Sequence, residues 1–214
     1  MAIATVPRIL VVDDHASVRR GLQEILRETV GALEFGHASG RMDALELVRG
    51  GKWDLAIIDL NLQGHHGLDV IRLLRDEQPG LHVLVYSVHA EEQFGLRAIR
   101  AGADGYLTKD RPAEEIAKAV RAILGGGQYI SLELAELMVE AVKGGSRTRL
   151  EALSNREHQV LRLLSSGKSP TQIGAELNLS AKTITTYRAR ILEKLRLKTN
   201  ADLVRYALEN HLLD

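Results

Sequence analysis

The chain has 214 residues, 45% of them apolar, which is enough for two compact domains with their own cores. It contains no cysteine, which excludes a disulfide framework, a thiol nucleophile and a cysteine-based zinc site. Its apolar runs are shorter than the roughly 18 residues of a membrane span, and the run before the first acids is too short for a secretory signal, so we expect a cytoplasmic protein that does not contact the membrane.

The net formal charge of zero is the sum of an acidic part and a basic part. Residues 1–142 hold 15 Lys and Arg against 21 Asp and Glu, a net charge of −6. Residues 143–214 hold 13 against 7, a net charge of +6. This asymmetry indicates that a polyanion-binding part follows an acidic part. Chance segregation gives the same pattern, so the basic part alone does not identify DNA as the partner.

The first half alternates short apolar strands with amphipathic helices. The strands are expected at 8–13, 33–38, 55–59, 82–86 and 104–107, and the helices at 17–29, 41–49, 67–77, 91–101 and 112–124. Nearly continuous apolar strands indicate burial on both faces, as in a parallel sheet covered by helices. We therefore predict a doubly wound α/β domain with a five-stranded parallel sheet over residues 1–127, whose ligands bind beyond the carboxyl ends of the strands.

Polar side chains follow four of these strands. They are Asp13 and Asp14 after the first strand, Asp59 after the third, Ser87 after the fourth and Lys109 after the fifth. Because these strand ends share one edge of the sheet, the side chains can converge. Three crowded carboxylates favour a hard cation such as Mg²⁺, and one of them can attack phosphorus to form an aspartyl phosphate. The lysine would then offset charge on the phosphoryl oxygens, and the serine would donate a hydrogen bond to them.

Each of these residues also has an ordinary structural interpretation. Paired aspartates after a strand commonly cap a turn or a helix, and a lysine there is commonly a solvated surface charge. The chemical hypothesis therefore depends on their joint placement. His65, His66 and His89 flank the same edge, but they lack the spacing of a zinc site, and we interpret them as loop residues.

Four segments resemble the receiver domain of bacterial response regulators, and the resemblance covers nearly all of residues 7–127. They are VVDDH (11–15), IIDLNL (57–62), LVYS (84–87) and GADGYLTKD (102–110). The resemblance implies a flavodoxin-like fold in which Asp59 accepts a phosphoryl group from a sensor histidine kinase. It also implies that Asp13 or Asp14, Asp59 and the backbone carbonyl of Asn61 hold Mg²⁺.

The same resemblance implies a switch. Ser87 and Lys109 would contact the phosphoryl group, and Tyr106 matches the family's aromatic residue that turns inward when Ser87 is drawn to the phosphate. Without the resemblance, Tyr106 would be interpreted as a half-buried strand residue. Many receivers have proline where this chain has Gln63, followed here by Gly64, and this departure leaves the lifetime of the phosphoryl group open.

The basic half follows a connecting segment. Residues 128–149 are expected to form a connecting helix at 131–142 and then a linker, because 143–149 are small, polar and basic. Four helices are predicted near 155–166, 170–177, 181–196 and 200–212. Ser154 with Glu157 three residues later is a capping box, and Pro170 suits a first helical position. We predict an all-α domain of four helices over residues 150–214 that contains a helix-turn-helix.

The third of these helices separates into two faces. Ile184, Tyr187, Ile191 and Leu195 share the side expected to pack on the core. The outer side carries Lys182, Thr185, Thr186 and Ala189, flanked by Arg188 and Arg190. Small polar and methyl-bearing side chains can approach base edges in the major groove, and Lys and Arg at the borders can reach phosphates. An ordinary amphipathic surface helix would show the same pattern.

Residues 153–207 resemble the LuxR-type helix-turn-helix of the NarL/FixJ class, most specifically in KTITTYRARILEKL (182–195). The resemblance places base contacts at Thr185, Thr186 and Ala189, where the family often has Lys or Val, while Tyr187 stands where many members have His. It also implies that the last helix pairs DNA-bound dimers. Leu203, Val204, Ala207 and Leu208 could supply that seam or could face the core instead.

Together the two halves predict a two-component response regulator. Phosphorylation of Asp59 would favour a homodimer, or release the recognition helix, for binding double-stranded promoter DNA. We do not class the protein as an enzyme.

Three other interpretations were weighed. A flavodoxin-like electron carrier would need a phosphate cradle where Asp13 and Asp14 repel phosphate. An aspartyl phosphatase typically has a second Asp where this chain has Asn61. A regulator that ignores phosphorylation, with the receiver as a dimerisation module, stays open.

Overall fold

The computed structural model of the protein describes residues 6–62, 65–142, 153–210 and 212. The chain divides into two compact units, Met1–Val139 and Glu140–Asp214. The division falls within the predicted connecting segment 128–149, and the domain limits remain a prediction. The predicted linker at 143–149 and the departure at Gln63 and Gly64 lie outside the described residues. Within the described part of the chain, no helix is both long and apolar enough to cross a bilayer.

The first unit is an α/β fold. Its strands are β1 (Arg8–Val12), β2 (Glu34–Ala38), β3 (Leu55–Ile58), β4 (Asn61–Leu62), β5 (His65–His66), β6 (His82–Ser87) and β7 (Gly105–Thr108). Its helices are α1 (Ala16–Thr29), α2 (Arg41–Gly50), α3 (Gly67–Glu77), α4 (Glu91–Ala101) and α5 (Ala113–Leu124), and α6 (Leu132–Val142) follows them. Five strands form one parallel sheet in the order β2-β1-β3-β6-β7. The predicted doubly wound α/β sheet is therefore confirmed.

The central strands are apolar at nearly every position because helices cover both faces of the sheet. Successive side chains of β1 alternate between the two helical layers: Ile9 and Val11 pack in one core cluster, Leu10 and Val12 in the other. All four are at most 1% exposed. This double burial holds the carboxyl ends of the strands rigidly at one edge of the sheet.

One feature of the first unit was not predicted. β4 and β5 form a two-stranded antiparallel pair directly after β3, with Asn61 opposite His66 and Leu62 opposite His65. The pair places two of the three flanking histidines on the loop that follows Asp59.

The described part of the second unit is helical, as predicted. Its helices are α7 (Asn155–Ser165), α8 (Pro170–Leu177), α9 (Ala181–Leu195) and α10 (Asn200–Glu209). Capping boxes at Ser154, Ser169 and Thr199 fix three of the four helix starts, and Ser180 caps the fourth by accepting a hydrogen bond from the Thr183 N–H. Buried aliphatic residues from all four helices form one core.

Candidate functional site

Three of the predicted residues meet at the carboxyl edge of the sheet. The Lys109 ammonium lies between two carboxylates, 2.6 Å from Asp13 Oδ2 and 2.8 Å from Asp59 Oδ2. Asp13 is 3% exposed and Asp59 4% exposed. The strands position them directly, since Asp59 N–H donates to the carbonyl of Val12, the last residue of β1. Residues 50 and 96 positions apart in sequence are thus brought into one ion-paired cluster, which we call the acidic pocket.

The electrostatics of the acidic pocket follow from this pairing. Burial alone would lower the pKa of the Lys109 ammonium, but hydrogen bonds to Asp13 and Asp59 and the charges of both carboxylates outweigh it and raise the pKa. The ammonium also lies 5.9 Å from the ring centroid of Tyr86, within the range of a cation–π contact. Lys109 therefore stays charged.

Asp14 and His15 complete the acidic side of the pocket. His15 Nδ1 lies 2.6 Å from Asp14 Oδ1 and 3.4 Å from Asp13 Oδ1, and the His15 N–H donates to Asp13 Oδ1 at 2.7 Å. One ligand atom from each of the three residues lies within 4.8 Å of the other two. His15 was not among the predicted site residues, although its position directly after the paired acids was a usable signal.

Ser87 and Tyr106 form a second string of contacts that starts beside the pocket. Ser87 ends β6, is fully buried, and its carbonyl accepts a hydrogen bond of 2.8 Å from the Lys109 N–H. Its hydroxyl oxygen accepts from the His89 N–H at 3.4 Å. The Tyr106 hydroxyl donates to the His89 carbonyl at 2.9 Å. The string therefore runs from Ser87 through His89 to Tyr106, directly before the start of α4.

Tyr106 lies in a single, inward position and is 1% exposed. Burial, reinforced by the negative charges of Asp59 and Glu91, raises the pKa of its hydroxyl, which therefore stays a neutral hydrogen-bond donor. The half-buried alternative is wrong. The rotation implied by the family resemblance stays a prediction, because the structure has the side chain in one orientation.

Helix α9 presents the predicted outer face. Lys182, Thr185, Thr186, Ala189 and Arg190 are exposed, while Arg188 is half-buried. The Thr185 and Thr186 hydroxyls donate to the carbonyls four residues earlier at 3.0 and 3.1 Å. Arg188 Nε donates to Asn200 Oδ1 at 2.6 Å, a contact between α9 and α10 that the sequence did not predict. On the inner face Ile184, Ile191 and Leu195 are buried and Tyr187 is half-buried.

A buried carboxylate anchors the far end of α9. Glu157 is 3% exposed, and its Oε2 lies 2.6 Å from Lys194 Nζ while it also accepts from the Ser154 N–H at 2.7 Å. Burial would raise the pKa of Glu157, but hydrogen bonds from Lys194 and Ser154 overcome it and lower the pKa. Glu157 thus joins the capping box of α7 to α9.

The candidate dimer seam on α10 is divided. Leu203 and Ala207 are at most 1% exposed and belong to the core of the second unit. Leu208 is 59% exposed, and Val204 is half-buried. Two of the four proposed residues therefore face the core, and two remain available on the outer side.

Comparisons with known proteins give one consistent result. Residues 9–121 match the response regulator receiver domain family, and residues 151–207 match the LuxR family of bacterial regulatory proteins. The chain is 35% identical over 211 residues to response regulator GacA of Pseudomonas aeruginosa, covering 97% of this chain and 98% of GacA. It is 31% identical over 206 residues to response regulator UvrY of Escherichia coli K12, covering 95% and 94%.

A solved structure extends the comparison to the fold. RcsB from Salmonella enterica serovar Typhimurium, bound to promoter P1flhDC in the presence of phosphomimetic BeF3−, matches with a TM-score of 0.64 over 94% of this chain and 98% of that one. At 21% identity this likeness shows the fold alone.

Proposed function

Since this chain belongs to the response regulators of the NarL/FixJ class, with a receiver domain and a LuxR-type DNA-binding domain, we propose that Asp59 accepts a phosphoryl group from a sensor histidine kinase. This reaction would control the binding of promoter DNA by α9. The observation that supports it best is the largely buried Lys109 ammonium shared between Asp13 and Asp59. An ordinary surface cluster would not bury both carboxylates and leave only 14% of the lysine side chain exposed.

The transfer needs a nucleophile and charge stabilisation. The Asp59 carboxylate would attack phosphorus, forming a P–O bond while the P–N bond to the kinase histidine breaks and that histidine nitrogen takes up a proton. The Lys109 ammonium, 2.8 Å from Asp59 Oδ2, would offset negative charge on the phosphoryl oxygens, and the Ser87 hydroxyl would donate to one of them. The protein is thus itself the molecule that is phosphorylated, and it is not an enzyme that converts a separate substrate.

The donor set fits Mg²⁺. Asp13 and Asp59 contact Lys109 and Asp14 lies beside Asp13, which leaves about two negative charges for a divalent cation with a preference for oxygen ligands. Asp13, Asp14, Asp59 and the backbone carbonyl of Asn61 would hold it. When bound, the ion supplies charge neutralisation between the acids and the phosphoryl oxygens.

For DNA binding, α9 would enter the major groove. Thr185, Thr186 and Ala189 would approach base edges, and Lys182, Arg188 and Arg190 would contact phosphates. Two copies would recognise a roughly two-fold symmetric site, so we expect a homodimer on DNA after phosphorylation.

Replacement of the acceptor tests the proposal. Asp59→Asn should abolish labelling by a small phosphodonor with Mg²⁺, and DNA selected from a random library should then no longer depend on the phosphodonor. Asp110→Asn is the matched control, because Asp110 is an exposed acid at the same edge of the sheet. Labelling of Asp59→Asn at the wild-type level, or DNA selection by wild-type protein that is indifferent to the phosphodonor, would refute the proposal.

A further inference from the structure

The segment that follows α5 turns back onto the outer edge of the sheet. The Tyr129 N–H donates to the Asp104 carbonyl at 3.0 Å, and the Tyr129 carbonyl accepts from the Tyr106 N–H at 3.3 Å. A bridge thereby forms beside Gly105 of β7, where a Cβ would lie 2.8 Å from the Tyr129 carbonyl oxygen. The Tyr129 hydroxyl also donates to Glu115 of α5. The start of the connecting segment is therefore fixed to the receiver fold.

The next residues dock on α4. Leu134 of α6 is fully buried, in the same core cluster as Tyr106, Phe94 and Ala98. Its two methyl groups lie 2.9 and 3.0 Å from the position that a Cβ on Gly95 would occupy. Gly95 thus forms a notch on α4 that a leucine from α6 fills, and we call this contact the Leu134 clasp.

The start of the same helix α4 is held by the string that begins beside the acidic pocket. The Tyr106 hydroxyl binds the carbonyl of His89, two residues before α4 begins, and the His89 N–H binds the Ser87 hydroxyl. Gly95 follows one turn into α4. A change at Ser87 therefore reaches the start of α4 directly, and α4 carries the notch.

We propose that the Leu134 clasp couples the acidic pocket to the connecting helix α6: it holds α6 against α4 in the resting protein and is released when Asp59 is phosphorylated. Because the Ser87 oxygen accepts from the His89 N–H at 3.4 Å, a shift of that oxygen towards a phosphoryl group on Asp59 changes this contact. That change displaces the start of α4 and with it the notch at Gly95. Because Leu134 fills this notch without free space, it no longer fits the displaced notch, and α6 detaches from α4. The inference rests on the proposed function, since it names the step that follows phosphorylation.

Two variants release the Leu134 clasp by different physical routes. Leu134→Ala empties the notch, and Gly95→Leu fills it from α4 with a good helix former. Both should leave phosphodonor labelling of Asp59 unchanged, while the ratio of DNA affinities with and without phosphodonor falls to about 1 because the unphosphorylated variant already binds like the phosphorylated protein. Leu132→Ala is the control, since Leu132 lies in the same helix and is 73% exposed.

A measurement on the wild-type chain guards against variants that do not fold. Amide hydrogen exchange of α6 should accelerate when the phosphodonor and Mg²⁺ are added, and exchange in β1 and β3 should not. If Asp59 is not labelled, the proposed function fails. If Asp59 is labelled and DNA binding responds, but α6 keeps its protection and Leu134→Ala keeps its response, the clasp alone is refuted.

Discussion

The acidic pocket and the recognition helix use charge in opposite ways. Asp13, Asp59 and Lys109 come from three strand ends; both carboxylates are buried, and the Lys109 side chain is only 14% exposed. The cations of α9 come from one short segment, and Lys182 and Arg190 are exposed. Charges that are buried together contribute to folding and to chemistry at once, whereas exposed charges contribute to association and leave the fold almost untouched. A substitution in the pocket should therefore change stability, and one on the outer face of α9 should change only binding.

The largest effect is expected for Lys109→Ala. Removal of the ammonium leaves two buried carboxylates unpaired, and the free energy of unfolding of the first unit should fall by about 3 kcal/mol at neutral pH. Mg²⁺ should restore more stability to the variant than it adds to the wild type, because it supplies the missing positive charge. Urea denaturation followed by the fluorescence of Trp53, the one tryptophan of the chain, reports on this unit.

Lys118→Ala is the control for that prediction. Lys118 pairs with Glu115 at 2.6 Å on the surface of the same unit, and its side chain is 61% exposed. Its loss should change the free energy of unfolding by less than about 0.5 kcal/mol. If Lys109→Ala and Lys118→Ala lowered the free energy of unfolding equally, the proposed difference between buried and exposed charges would be wrong.

A smaller effect on the free energy of unfolding is expected in the second unit, at the buried carboxylate of Glu157. Glu157→Gln keeps the hydrogen bonds of the capping box and removes the charge that faces Lys194, so it should cost about 1 kcal/mol at neutral pH. The folded pKa of Glu157 is lowered, so its contribution is complete above the ordinary Glu pKa of about 4.3 and is lost as the pH falls through the folded pKa.

Hydrogen exchange of the α9 amides measured across this pH range should show wild type and Glu157→Gln converging in acid. Glu176→Gln serves as the control, since Glu176 forms an exposed pair with Lys168. A constant difference between wild type and Glu157→Gln at every pH would mean that packing, and not charge, anchors the far end of α9.

The smallest effect on stability is expected for Lys182→Ala, with a change below about 0.5 kcal/mol. DNA binding should nevertheless weaken for all sequences, and the slope of log affinity against log salt should decrease by about 1, because one phosphate contact is lost. Fluorescence anisotropy of labelled DNA over a salt series measures the slope, with Lys118→Ala as the control. An unchanged slope would mean that Lys182 contacts no phosphate and that the DNA-binding face does not include the start of α9.

The sequence predicted the sheet well because its signals are local. Runs such as Arg8–Val12 are apolar at nearly every position, and only a strand covered on both faces needs that pattern. The parallel arrangement then places the residues after each strand at one edge, so the meeting of Asp13, Asp59 and Lys109 follows from topology. The capping boxes at Ser154 and Thr199 are likewise properties of four consecutive residues.

What the sequence did not predict is either too short to show a pattern or depends on partners that are distant in the chain. The two-residue strands β4 and β5 are too short to show a period. The contacts Glu157 with Lys194 and Arg188 with Asn200 join different helices, and no spacing rule connects them. The amphipathic pattern of α6 predicts a buried side, but only the fold shows that its partner is a notch at Gly95.

The bridge at Tyr129 has a consequence for association between molecules. β7 is the last strand of the sheet, and an outer strand with unpaired amides and carbonyls is a template on which another chain can add a strand. Tyr129 pairs with one donor and one acceptor of this edge, the Tyr106 N–H and the Asp104 carbonyl. It does so beside Gly105, which has no side chain to shield the edge. The backbone of this single residue thereby hinders the addition of a strand from another molecule at the β7 edge.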